Sequence, residues 1–175
     1  MFRKGGGSPS YSDRAKEREL KKLLGNMVEG VCMVLVVALA VVVFLQVFNR
    51  FVLKAPLAWS EDLAMLLFQW VAFLGAAVGV KRMRHFGIEL LVKKMSARTR
   101  HWIEILIPWI MGFVALIMVT EGYNLLLFNR NRIYSSMDLS YIWTYSAIPV
   151  SGVLIIIFLI QQEVGRLRGR KEGGE

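Results

Sequence analysis

The sequence predicts an all-α, polytopic membrane protein. It is expected to have four transmembrane helices, both termini in the cytoplasm, and a short amphipathic interfacial helix between spans two and three. Three observations carry this. Of the 175 residues, 55% are hydrophobic, and mean hydropathy is +0.48. Charge is absent from four stretches, residues 30–49, 63–80, 105–120 and 139–162. The 22 lysines and arginines are crowded between and beyond those stretches. A helix rises about 1.5 Å per residue, so roughly 20 residues cross a hydrocarbon core of about 30 Å. Amphipathic helices of a soluble bundle would need polar faces, and these runs have almost none.

The chain opens on a Gly-, Ser- and charge-rich segment. Residues 1–22 are expected to form a basic cytoplasmic tail, disordered because they hold too little apolar surface to pack. The membrane domain is expected over residues 23–165, with spans at about 27–49, 62–81, 102–126 and 139–162, followed by a tail over 166–175. The first span is too long for a signal-peptide apolar region, and Phe48, Asn49 and Arg50 offer no small-residue cleavage site. It is read as a retained helix. Cys32, the single cysteine, lies within it, so no disulfide framework or cysteine metal cluster forms within one chain.

Ser60 is placed to cap the second span. Glu61 and Asp62 would then lie in its first turn, where the positive end of the helix dipole favours anions. An ion pair from Arg50, at the outer end of span one, to Glu61 or Asp62 would instead pin the two spans together. A snorkelling Arg50 is the alternative. Gly75 and Gly79 form a G-x-x-x-G pair flanked by Ala72, Ala76 and Ala77. Such residues allow close helix approach, within the chain or to another subunit. Gln69 is available for a hydrogen bond between helices. Residues 86–102 contain Ile88, Leu91, Val92 and Met95 on one face, hence the expected interfacial helix. The third span is extended past Glu121 to reach a spanning length, and Pro108 lies near its start. Pro149 falls inside span four and should kink it.

Orientation follows from the cations. Eighteen fall in the N-terminal tail, the loop between spans two and three, and the C-terminal tail; four (Arg50, Lys54, Arg130 and Arg132) fall in the other two loops. Cationic loops stay inside, which requires an even number of crossings. The net charge of +9 therefore reports topology and attraction to anionic lipid headgroups, with no nucleic-acid partner. Trp59, Tyr134, Tyr141, Trp143 and Tyr145 suit the outer interfacial belt and Trp102 the inner one. Trp70 and Trp109 lie deeper and are expected to pack against lipid or another helix.

No catalytic, cofactor or metal site is expected. The spans carry no central Asp, Lys, Arg or His, and only Glu121 approaches the interior. His85 and His101 lie in the basic loop, too far apart in sequence to form a local metal site. Phosphate loops and nucleophile motifs are missing, so an enzyme is not expected. A self-contained exporter acting as a homodimer would need an essential membrane carboxylate, for which Glu121 is the candidate.

The segment from Asn49 to Leu91 resembles the small membrane subunit, of DctQ type, of tripartite ATP-independent periplasmic (TRAP) transporters. The matching positions are Arg50, Trp59, Glu61, Asp62, Trp70, the run Leu74, Gly75, Ala76, Ala77, then Arg82 and His85. Asp62 stands where a second glutamate is usual. The resemblance implies a fixed, non-catalytic scaffold in the bacterial inner membrane. Its partners would be a large multi-span permease subunit that carries substrate and sodium, and a periplasmic solute-binding protein delivering organic acids such as dicarboxylates. The candidate interface or motif residues are Arg50, Trp59, Glu61, Asp62, Trp70, Gly75, Arg82 and His85 from the resemblance, with Gln69 and Gly79 from the packing pattern.

Overall fold

A computed structural model describes residues 11–92 and 97–172. The described chain is helical: α1 (Tyr11–Phe51), α2 (Ala58–Val92), α3 (Ala97–Phe128), the one-turn α4 (Ile142–Tyr145) and α5 (Ala147–Glu172). Among the described residues four stretches are long and apolar enough to cross a bilayer: Leu23–Phe51, Ala58–Arg82, Leu106–Phe128 and Ile142–Gly165. The first is rich in valine, a residue favouring strands in water. Hydrocarbon overrides that preference, because only a helix satisfies every backbone group within one segment.

The spans do not close into a four-helix bundle. α1 packs on α2, α2 on α5, and α5 on α3, giving an open row in the order α1, α2, α5, α3. None of the apolar window of α1 is buried, against 33% of that of the fourth span. The core lies where α2, α3 and α5 meet, around Ala77, Val80, Ala115, Ile155, Phe158 and Leu159.

α3 and α5 approach closely at two glycines. A Cβ on Gly152 would lie 3.0 Å from the Ala115 carbonyl oxygen and from Val119 Cγ2. One on Gly122 would lie 2.8 Å from Pro149 Cδ. A side chain at 122 would force a shift, and one at 152 would require its neighbours to yield by a few tenths of an ångström. Around Gly75 and Gly79, by contrast, an added Cβ meets nothing within 4 Å. The expected G-x-x-x-G pair is therefore open, and the close contacts inside the chain use other glycines.

Cross-links between helices act as depth markers. Glu29 of α1 contacts Lys81 and Arg82 of α2, and Gln162 of α5 donates to the Val80 carbonyl at 3.0 Å. Those residues mark one level. Asp62 is 19 residues above Lys81, about 28 Å of helix. Arg50 is 21 residues above Glu29 and Ile142 is 20 from Gln162, both about 30 Å. The two levels thus bracket one hydrocarbon thickness.

Several local expectations change. α1 begins at Tyr11, inside the segment expected to be a disordered tail. "AKERELKKLL" is made of good helix formers, and an adjoining long helix removes the nucleation cost. Residues 1–10 lie outside the described residues. Among the described residues no separate interfacial helix stands between spans two and three: α2 runs unbroken to Val92, residues 93–96 lie outside the described residues, and α3 starts at Ala97. Gly87 alone is too weak a signal to stop a helix. Because α3 starts early, Pro108 lies in its interior. Ser60 is not the cap of α2. It lies inside the first turn, fully buried, with Oγ donating to the Leu57 carbonyl at 2.7 Å. The break in the fourth span falls at Ser146, between α4 and α5, three residues before Pro149. Proline is tolerated in a first helical turn, where its missing N–H is no loss.

Candidate functional site

Two polar clusters sit at the ends of the spans, one at each membrane level. At the inner level the Glu29 carboxylate accepts from Lys81 Nζ at 3.0 Å and from Arg82 Nη2 at 2.9 Å. Arg82 Nε also donates to it, at 3.4 Å. The fork of a guanidinium on a carboxylate fixes geometry as well as charge. The end of the Lys81 side chain lies over Gly25 of α1, in the space a Cβ there would occupy. The sequence reading missed Glu29. The signal was available, since Glu29 is the last charge before one apolar run and Lys81 the first after the next.

At the outer level the loop 129–141 folds back on itself. Tyr134 N donates to the Leu139 carbonyl at 3.0 Å, and Tyr141 N to that of Arg132 at 3.1 Å, around an isolated bridge of Ile133 with Ser140. Tyr134 is buried and stacks on Tyr141 with ring centroids 3.9 Å apart. Its hydroxyl pairs with Thr144 Oγ1 at 2.6 Å. Burial pushes the Tyr134 phenol above its ordinary pKa, with the Thr144 bond opposing. Ser136 Oγ donates to Asp62 Oδ2. That bond latches the loop onto α2.

Asp62 is thus a loop anchor, and no ion pair joins Arg50 to Glu61 or Asp62 among the described residues. Arg50 and Glu61 are exposed, Trp59 is 39% exposed, and Glu61 lies in the first turn of α2. Trp70, deeper in α2, donates from Nε1 to the Trp143 carbonyl at 2.9 Å. Ser146 Oγ donates to the same oxygen at 2.9 Å. The carbonyl at the break between α4 and α5 is thereby satisfied by two side chains. Gln69 is half-buried and makes no hydrogen bond to another helix among the described residues. His85 falls within α2, and its side chain lies outside the described residues.

The motif positions therefore fall into three groups. Arg82 ties the inner ends of α1 and α2, Asp62 and Trp70 tie α2 to the outer loop and α4, and Gly75 and Gly79 lie on an unoccupied face of α2. Among the described residues no group of three or more His, Cys, Asp or Glu could hold a metal ion.

Residues 39–169 match the family described as tripartite ATP-independent periplasmic transporters, DctQ component. The sialic acid TRAP transporter small permease protein SiaQ of Vibrio cholerae is 27% identical over 143 residues, covering 78% of this chain and 79% of SiaQ. The C4-dicarboxylate TRAP transporter small permease protein DctQ of Rhodobacter capsulatus is 32% identical over 64% of this chain and 50% of its own length. The sialic acid TRAP transporter permease protein SiaT of Haemophilus influenzae is 28% identical over 81% of this chain, yet the match spans only 23% of SiaT. A transporter component, and no enzyme, is what this family describes. With a family match over three quarters of its length and four helices of spanning length, the chain belongs to the DctQ component family of tripartite ATP-independent periplasmic transporters.

Proposed function

We propose that this chain is the small permease subunit of a TRAP transporter of the bacterial inner membrane, a scaffold that carries nothing itself. Both termini and the basic loop between spans two and three face the cytoplasm, with the cationic segment after Arg82 lying against anionic headgroups. A large multi-span subunit moves the substrate with sodium, and a periplasmic solute-binding protein delivers it. The cargo is an organic acid, in the class of dicarboxylates or sialic acid.

The observation that carries this reading is the open row. A carrier needs an enclosed site reachable from each side in turn. Among the described residues α1 and α3 share no extensive contact, and the inner and outer polar clusters fasten helix ends. The SiaT relative supports the partner: its matching segment is embedded in a permease chain more than four times as long as the match.

The face bearing Gly75 and Gly79 is proposed as one contact with the large subunit, because nothing in the chain fills it. Gly75→Leu is expected to leave the melting temperature of the isolated chain unchanged. In co-purification from mild detergent it should reduce recovered complex by about tenfold, which corresponds to about 1.4 kcal/mol of lost helix packing. Wild-type recovery would remove this face from the interface. A wild-type chain that brings down no large subunit at all would overturn the functional reading itself.

A further inference from the structure

Glu121 is the charged residue of the described spans that lies farthest from either membrane level, and the scaffold role leaves it without a task. Its depth can be read twice. Its neighbour Gly122 abuts Ile148 and Pro149 of α5, which lie 14 and 13 residues from Gln162, about 20 Å above the inner level. Counted from the other end, Glu121 lies seven residues short of Phe128, where α3 ends, about 10 Å. Both place it about 10 Å inside the outer boundary, farther than a glutamate with two methylenes can reach.

Its direction is equally defined. α3 meets α5 through Ala115, Met118, Val119 and Gly122. At 100° per residue, Thr120 and Asn124 fall on the far side and Glu121 on the flank, about 110° from the centre of that contact, and all three are exposed. Thr120 Oγ1 is occupied by carbonyls of its own helix, those of Leu116 and Ile117, at 3.1 and 3.2 Å. Asn124 Nδ2 donates to Glu121 Oε2 at 3.4 Å. Among the described residues the carboxylate has no partner on another helix. Hydrocarbon supplies no hydrogen-bond donor, and carboxylates inside a bilayer face protein or water rather than lipid.

We propose that the Thr120, Glu121 and Asn124 face of α3 is a docking surface for the large permease subunit, which presents a donor (arginine, lysine, asparagine or a backbone N–H) to Glu121 at that depth. The inference rests on the small-subunit reading above. Lipid tails offer the carboxyl no hydrogen-bonding partner. A second copy seated two-fold on this face would bring two Glu121 carboxylates together, which like charge opposes.

The test uses the complex co-expressed with a tag on the large subunit. A photo-crosslinking benzophenone amino acid is placed at Asn124 and irradiated in native membranes. The expected result is an adduct of this chain with the large subunit. In parallel, Glu121→Gln should retain most of the complex, and Glu121→Lys should lower its recovery tenfold or more. Circular dichroism and thermal melting of the Glu121→Lys chain purified alone should match wild type. An intact complex in which position 124 gives only lipid adducts, or adducts with a second copy of this chain, overturns the proposal and leaves the small-subunit reading standing. So does wild-type recovery of Glu121→Lys. If the tagged large subunit recovers no wild-type chain at all, the small-subunit reading falls and this inference falls with it.

Discussion

Replacing Gly152 with leucine is expected to separate α3 from α5 and to be the most damaging single change in the membrane domain. The position faces the Ala115 carbonyl oxygen at 3.0 Å and Met118 Cβ at 3.1 Å from where a Cβ would sit. The obstructing oxygen is backbone, so it cannot rotate away as a side-chain terminus would. Ser151 beside it is fully buried and Ala115 is likewise sealed, leaving no void for a leucine. Overpacking of a tight core costs about 1–3 kcal/mol. At the upper end this lowers the melting temperature by roughly 6–12 °C for a chain of this size. Gly79→Leu serves as the comparison, because its Cβ meets nothing within 4 Å and an open site changes stability by about 0.5 kcal/mol or less. Thermal melting of both variants in one detergent checks the contrast. Equal shifts would mean that the α3–α5 contact is not where the fold is tightest.

Reversing charge at the inner level is the second large effect. Glu29→Lys would place three cations where one carboxylate now neutralises two. α1 depends on this contact unusually strongly, because no residue of its apolar window is buried and α2 is its main packing neighbour. The outer ends are joined by the short linker after Phe51, so loss of the inner tie should let α1 swing from that point. The expected result is a melting temperature lower by roughly 5 °C, with faster protease cleavage ahead of Leu23. Glu29→Gln should fall between the two. The swapped pair Glu29→Lys with Lys81→Glu should recover most of the loss, since it restores attraction across the same gap. Failure of the swap to recover anything would show that Glu29 contributes through shape rather than charge.

These two sites also show what the sequence made legible. The four spans could be read directly, because a charge-free run of spanning length has few other uses. The row order could not, since which helix sides meet depends on contacts between distant residues. G-x-x-x-G at Gly75 and Gly79 names a surface on which helices can approach closely without saying whether anything does. The glycines at the tight α3–α5 contact, Gly122 and Gly152, stand singly and carry no spacing signal. Glu29 was hidden because it borders the charge-free run at the inner end of the first span, when its value lay in standing at the depth of Lys81. Asp62 was legible as important through its family motif, but Ser136 lies 74 residues away in an irregular loop, where no periodicity reports the pairing. The cap expected at Ser60 failed because α2 starts two residues earlier, and caps are local to one residue while helix starts are set by packing.

The central claim is that this chain holds a transporting subunit in place and moves nothing itself. Proteoliposomes test it most directly: one set holds the purified chain alone, a second holds it with the large permease subunit, and both receive a loaded solute-binding protein outside and an inward sodium gradient. The account predicts substrate uptake in the second set and none above protein-free vesicles in the first. Accumulation of the solute by vesicles containing this chain alone would contradict it.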